Sequence, residues 1–246
     1  MEHSQFKHLV IGSKGEVGFA LFRILNEAFG EDVRGIDKEI LEVEPYPEFH
    51  FLHICIPYSD NFEEVVLRYE KLWRLSTGVT VIHSTVPVGT TRKLKAVHSP
   101  IHGIHPNLYD GLKTFVKFIG ATNSEQALSV EQEFRKCGMK PFVVKNPETS
   151  ELSKLGCTTR HGLMIIEQKE FKRQCEKYGA DFEEAYTLWN GLYSMGYREL
   201  GLPYLQRAIV KDMAGGIGGH CIIPNAKLID SPIGDFVLER NKTFGV

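Results

Sequence analysis

Three glycines, at positions 12, 15 and 18, stand between the apolar run Phe6-Lys7-His8-Leu9-Val10-Ile11 and the helical pattern Phe19-Ala20-Leu21-Phe22-Arg23-Ile24-Leu25. A strand that turns sharply into a helix lying against it needs residues without a Cβ at the turn and at the helix–strand contact. Gly12 is expected to make the turn and Gly18 to let the helix lie close. Gly15 is expected to leave the backbone open to an approaching ligand. The alternation then continues. Residues 32–37, 51–56 and 79–83 read as strands, with helical patterns near 61–75 and 90–96 between them. Further strands are expected around 96–99, 115–119 and 141–144, with a helix over 124–137. Strands alternating with helices predict an α/β fold built on a doubly wound parallel sheet.

The turn carries a chemical expectation of its own. Helix residues Glu16 and Val17 follow Gly15 directly, so unpaired N–H groups and the positive end of the helix dipole face whatever sits above the turn. That suits a pyrophosphate. Asp37 ends the second strand nineteen residues after Gly18. Its carboxylate is suited to the hydroxyls of an adenosine ribose and would repel a 2′-phosphate, which favours NAD over NADP. The fold is therefore expected to be of the Rossmann type, with ligands at the carboxyl ends of the strands. Pro57 and Ser84-Thr85 fall at two such ends. His53 and Cys55 lie within a strand and read as core-facing.

The second half is mostly helical, and the domain boundary is expected at residues 145/146, giving 1–145 for the nucleotide domain and 146–246 for a substrate or dimerisation domain. Asn146-Pro147-Glu148-Thr149 is a helix start, with a capping side chain, proline at the first position and an acid in the first turn. The helix is predicted to run to Tyr178 and stop at Gly179. Asp181-Phe182-Glu183-Glu184 starts another, extended by Trp189, Leu192, Tyr193 and Tyr197, and Leu202 to Ile209 reads as a third. A long helix leaving such a domain predicts a homodimer. Near the end lies Gly215-Gly216-Ile217-Gly218-Gly219-His220-Cys221, where bare backbone leads to an accessible thiol.

Bulk properties exclude several classes. A formal net charge of −2 gives no reason to expect nucleic acid as a partner. Apolar runs such as 79–82 are too short to span a bilayer. Five cysteines without a CxxC pair predict free thiols, no metal site and a cytoplasmic protein.

The glycine turn, Cys55-Ile56-Pro57, Ser84-Thr85-Val86-Pro87-Val88-Gly89-Thr90-Thr91, Ser150-Glu151-Leu152-Ser153-Lys154-Leu155 and Gly218-Gly219-His220-Cys221-Ile222 occur in this order. In this the chain resembles the UDP-glucose, UDP-N-acetylmannosamine and GDP-mannose 6-dehydrogenases of the 6-phosphogluconate dehydrogenase-like superfamily. The resemblance implies an NAD-dependent dehydrogenase acting on a CH–OH group. It implies Cys221 as a nucleophile toward an aldehyde, Lys154 as the cation beside the developing oxyanion, and Thr85 at the nicotinamide or a catalytic water. Gly218, Gly219 and His220 would line the substrate.

The departures from that pattern are specific. Thr158 stands where the family has asparagine, and Asn225 where it has aspartate. His105-Pro106-Asn107 replaces the segment that carries its hydrolytic glutamate. Too little length follows Cys221 for the family's nucleotide-sugar-binding domain, so a shortened form is expected, performing one two-electron step on a smaller alcohol or carbonyl compound. Two other readings stay open. Gly103-Ile104-His105-Pro106 resembles the GxHP segment of prephenate dehydrogenases, in which His105, with Asn107 beside it, would assist substrate binding or proton transfer. The lost asparagine, aspartate and glutamate also fit a catalytically silent NAD-binding regulatory protein.

Overall fold

The computed structural model describes residues 8–37, 49–72 and 78–245. Phe6 and Lys7 of the expected first strand, and the last residues of the helix expected over 61–75, lie outside them. Contacts divide the chain into two compact units, Met1–Leu155 and Gly156–Val246.

In the first unit β1 (His8–Ile11), β2 (Val33–Ile36), β3 (Phe51–Ile54), β4 (Val79–Ile82), β5 (Val97–His98), β6 (Val116–Ala121) and β7 (Lys140–Val143) form one sheet in the order β2-β1-β3-β4-β5-β6-β7. The order runs outward from β1 in both directions, and helices cover both faces of the sheet, as in a doubly wound fold. One pair departs from the expected parallel sheet. β6 runs antiparallel to β5, while β6 and β7 pair in parallel. After α4 (Leu108–Thr114) the chain re-enters the sheet from its other end.

Strands β1, β3 and β4 are buried at every position, as parallel strands covered on both faces must be. Alternation sends Val10, Phe51 and Val81 to one face, against α1 (Glu16–Phe29), α4 and α5 (Ser124–Lys136). Leu9, Leu52 and Ile82 go to the other, against α2 (Phe62–Leu72). Each such buried aliphatic side chain contributes on the order of 1.5–3 kcal/mol. Short α3 (Thr90–Lys93) follows β4.

α6 (Pro147–Tyr178) starts and stops as the sequence predicts. Asn146 Oδ1 accepts from the Thr149 N–H at 2.9 Å, and Gly179 takes φ +66°. The division between the units falls inside this helix. In the second unit a π-helical stretch (Glu183–Leu188), capped by Asp181 at the Glu184 N–H, runs into α7 (Trp189–Glu199). Trp189 and Leu192 are exposed rather than packed.

The third helix read over Leu202 to Ile209 is absent; only Pro203–Leu205 makes a single 3₁₀ turn. The apolar spacing is helical, but side chains of the preceding elements take the backbone donors. Ser194 Oγ accepts from the Arg207 N–H at 3.0 Å, and the Tyr186 hydroxyl accepts from the Val210 N–H at 3.3 Å. Instead, α8 (Ile222–Leu228) and α9 (Pro232–Asn241) close the unit around Ile166, Ile217, Ala226 and Val237.

The core of the first unit holds an unusual number of imidazoles. Burial pushes the His53 and His83 rings well below the ordinary histidine range and His98 down to about 3. These rings are neutral when folded but titrate near 6.5 when unfolded, so the unfolded chain binds more protons below that pH. The contribution of these rings to stability is therefore complete above about pH 6.5 and is lost as the medium is acidified. The limiting slope is about three protons, roughly 4 kcal/mol per pH unit. Urea unfolding at pH 7, 6 and 5 measures this. A free energy that stays flat across the series contradicts it.

Candidate active site

The site is built first by the turn at 12–18. Gly12 takes φ +82° and its N–H donates to Ile36 O at 2.8 Å; a Cβ there would stand 2.7 Å from Cys55 O. A Cβ on Gly18 would stand 2.0 Å from Gly12 O, so helix and turn meet backbone to backbone. Gly15 is different. It precedes α1, and a Cβ there would meet only Gly12 O, at an ordinary 3.4 Å. Nothing in the protein requires glycine at 15, and its bareness leaves room above the N-terminus of a fourteen-residue helix. Asp37 lies beside this space, and its Oδ2 accepts from the Lys14 N–H at 3.0 Å. Glu16, in the first turn of α1, pairs with His105 Nδ1. Lys14, Glu16, Arg23 and Asn107 help to line a cavity of about 550 Å³ next to the turn.

At the carboxyl ends of β3 and β4 the Ser84 hydroxyl donates to Ile56 O, tying the loop after β4 to the one that carries Pro57. Thr85 follows, half-buried. The neutral His98 ring donates from Nε2 to Ser84 O at 3.2 Å and accepts at Nδ1 from Ser150 Oγ at 2.7 Å. Glu151, wholly buried, accepts from the Gly89 N–H at 2.7 Å and the Thr91 N–H at 2.8 Å, which closes the Ser84–Thr91 loop against α6. Burial pushes the Glu151 carboxyl up, against the pull of those hydrogen bonds. One turn on, Lys154 Nζ donates to Ile101 O at 2.7 Å. Lys154 lies three residues after Glu151 and four after Ser150, so one side of α6 reaches both the loop after β4 and the segment that ends β5.

The second unit holds the glycine loop before Cys221. Gly215 and Gly219 take φ +75° and +77°. The Gly216 N–H donates to Gly245 O at 2.6 Å, and buried Asn241 brackets Ile217, its Oδ1 accepting from the Ile217 N–H and its Nδ2 donating to Ile217 O. A Cβ on Gly218 or Gly219 would meet no atom within 4 Å, so the backbone there is bare on its open side. His220 is exposed and Cys221 half-buried, immediately before α8. α8 lies on α6 where Gly162 admits Ile222, whose Cγ2 would be 2.8 Å from a Cβ at 162. Two of the three departures noted in the sequence meet in space: Asn225 Nδ2 donates to Thr158 Oγ1 at 3.3 Å. The Asn225 N–H also donates to Cys221 O at 3.1 Å.

Reasoning from sequence missed Glu151, His98 and Asn241. Glu151 had a signal, an acid three residues before Lys154 on the same helix face. His98 and Asn241 had none beyond being polar residues in apolar surroundings.

Comparison of the sequence finds no matching family model and no matching curated protein. Solved structures do match in fold. The UDP-D-ManNAc dehydrogenase from Pyrococcus horikoshii superposes with a TM-score of 0.78 at 18% identity, over 97% of this chain and 69% of that one. A UDP-glucose dehydrogenase from Pyrobaculum islandicum gives 0.72 at 16%, over 99% and 69%. The 3-hydroxyisobutyrate dehydrogenase of Mycobacterium tuberculosis gives 0.70 at 14%, over 98% of this chain and 94% of that one. The chain therefore shares the Rossmann-like fold of these dehydrogenases and spans about two thirds of the sugar-nucleotide enzymes.

Replacing Asn241 by alanine removes the acceptor for the buried Ile217 N–H. The expected loss is about 1–3 kcal/mol of unfolding free energy, together with faster alkylation of Cys221 as its loop loosens. Urea titration and timed labelling with a thiol reagent check both. Unchanged stability and labelling would remove the clamp role.

Proposed function

We propose that the chain is an NAD-dependent oxidoreductase that moves a hydride between an alcohol or carbonyl carbon and the nicotinamide, with Lys154 and Cys221 at the reacting centre. The observation that carries the reading is the bare Gly15 above the N-terminus of α1, under a turn that Gly12 and Gly18 hold rigid. A dinucleotide pyrophosphate fits there, hydrogen-bonded by backbone N–H groups without a side chain in its way. Asp37, already oriented by the Lys14 N–H, would take the ribose hydroxyls. Pro57, Ser84 and Thr85 would face the nicotinamide. When bound, NAD supplies the hydride acceptor.

The protein's own part is positioning and charge. Lys154, anchored by Ile101 O, stabilises the alkoxide as its carbon gives up hydride, an interaction worth more in a closed site than in water. Asn225 carries an amide, which takes no proton, so it orients Thr158 and the Cys221 segment instead of serving as a base. This favours a single two-electron step. A small substrate is favoured too, because the chain spans nearly all of a dehydrogenase of a small hydroxy acid. Gly218, Gly219, His220, His105 and Asn107 are the groups assigned to hold the substrate.

A homodimer belongs to the proposal. Leu188, Trp189, Leu192 and Met195 are exposed on and just before α7, an apolar surface of the kind that mates with another copy. Among the described residues no helix is long and apolar enough to cross a membrane.

Turnover tests the assignment. With NAD and a panel of small hydroxy acids and alcohols, the protein is expected to generate NADH absorbance. Lys154→Met is expected to lower kcat by about 10²-fold or more. Cys221→Ala is expected to abolish turnover while cofactor affinity is kept. Full activity in Cys221→Ala removes the thiol from the mechanism, and a larger loss in His105→Ala than in either variant transfers the chemistry to the histidine.

A further inference from the structure

Five titratable side chains form a line through the core of the first unit, on the face of the sheet that meets α1 and α5. The parallel register draws it. His8 of β1 is paired with Phe51, and His53 of β3 lies two residues further on; His53 is paired with Val81, and His83 lies two residues beyond that. Each step crosses one strand and advances one pleat, so the rings climb from the amino ends of the strands to the carboxyl ends. His8 Nδ1 is 3.1 Å from His53 Nε2, His53 Nδ1 is 3.0 Å from His83 Nε2, and His83 Nδ1 is 3.1 Å from Lys117 Nζ of β6. At the other end His8 Nε2 faces Glu133 Oε2 of α5 at 3.5 Å, within ion-pair range, and neither atom makes a hydrogen bond to any other group among the described residues. All five residues are at most 4% exposed.

The hydrogen inventory gives this line a direction. Lys117 Nζ has three neighbours, His83 Nδ1, Ser99 O and Pro100 O, which match the three hydrogens of an ammonium. A charged Lys117 therefore donates to His83 Nδ1. His83 must then donate from Nε2 to His53, His53 from Nε2 to His8, and His8 from Nε2 to the Glu133 carboxylate. The mirror arrangement is equally complete. A protonated Glu133 donates to His8, each ring donates from Nδ1 to the next, and His83 donates to the lone pair of a neutral Lys117, whose two hydrogens stay on Ser99 O and Pro100 O. The two arrangements contain the same protons and differ by four transfers, one across each link. Together these transfers neutralise both ends.

The surroundings keep charge off the rings and hold it at Glu133, while burial works against the ammonium at Lys117. Burial, with the neighbouring His8 and Lys117 charges, pushes His53 down; burial, with Lys117 and His53, does the same to His83. Burial also pushes Lys117 well below the ordinary lysine range, with Lys154 adding to the effect and the Cys55 thiol opposing it. Glu133 is raised by burial, but hydrogen bonds from His8 and Lys136 outweigh this and hold it low. The Phe134 ring of α5 lies 5.6 Å from Lys117 Nζ; Cys55 acts on Lys117 and Lys136 on Glu133, whereas His98, in register with Ile82, belongs to the opposite face of the sheet.

We propose that Glu133, His8, His53, His83 and Lys117 form a proton wire across the sheet, and that Lys117, switched by it, is a positioning residue that sets the proton affinity of Lys154. The link is a strip of three consecutive carbonyls. Ser99 O and Pro100 O hold Lys117, and Ile101 O holds Lys154. A cation on the first two disfavours a cation on the third, and a proton shift along the wire relieves the repulsion without any group moving. The consequence for catalysis rests on the assignment of Lys154 to the reacting centre; the wire itself does not.

The test needs neither NAD nor substrate. In wild-type protein carrying ¹⁵N-histidine, the wire requires His8, His53 and His83 to be neutral at pH 7 and to share one tautomer, all Nε2–H or all Nδ1–H. Opposed tautomers in neighbouring rings, or an imidazolium among them, overturn it. In protein with labelled lysine, Lys117→Met is expected to raise the Lys154 titration midpoint by roughly half a pH unit or more. Glu133→Gln, distant from Lys154 but at the far end of the wire, is expected to raise it in the same direction. A rise in Lys117→Met alone reduces Lys117 to a static neighbour and overturns the wire; no rise in either overturns the coupling. Should either variant fail to fold, the tautomers of the wild type still decide. Loss of the dehydrogenase reading would be recorded separately, as absent turnover with the tautomer order intact.

Discussion

The contact between Gly18 and the Gly12 carbonyl is the constraint from which the rest of the first unit follows. A side chain at 18 would need to occupy space 2.0 Å from that oxygen, so α1 can lie where it does only while position 18 is bare. That approach aims the N-terminus of α1 across the carboxyl end of β1 and leaves Gly15 as the uncovered point above it. The same turn is tied to β2 through Ile36 O and Asp37, so the N-terminus of α1 and the Asp37 carboxylate are held by one short set of hydrogen bonds to backbone N–H groups.

Two buried polar side chains do for the loops what the glycines do for the turn. Glu151 holds the Ser84–Thr91 loop by two N–H groups, and Asn241 holds the Gly215–Cys221 loop by one N–H and one carbonyl. Irregular backbone can be kept inside a protein only when its polar groups find partners. Each loop is thus tied down through its own backbone, while Gly89 in the first and Gly218 and Gly219 in the second stay uncovered among the described residues. The Thr158–Asn225 pair belongs to the same economy. Two positions that depart from the sugar-nucleotide dehydrogenase pattern depart together, and the hydroxyl and amide that replace the usual groups bond each other.

Much of this is legible in the sequence because it rests on local chemistry. Gly12 and Gly18, the Asn146-Pro147 cap and the Gly179 stop each act within a few residues, and each is found where the sequence puts it. Ser231-Pro232 is an equally local signal for α9, with Ser231 Oγ accepting from the Gly234 N–H, and it went unread. What local chemistry does not encode is which distant groups will meet. The helical spacing of Leu202 to Ile209 was outweighed by Ser194 and Tyr186, and the antiparallel entry of β6 depends on how far the preceding connection carries the chain. His53 was correctly read as core-facing, yet its partners are 45 residues before it and 30 after. Only the strand register, offset by one pleat at each step, brings those rings into line.

In the proposed function a dinucleotide lies across the turn at 12–18. Amide hydrogen exchange followed by mass spectrometry, with and without NADH, reads that position directly. Exchange is expected to slow in peptides covering residues 12–19 and 84–91, because their N–H groups become covered. Unchanged exchange across 12–19 at saturating NADH would contradict it.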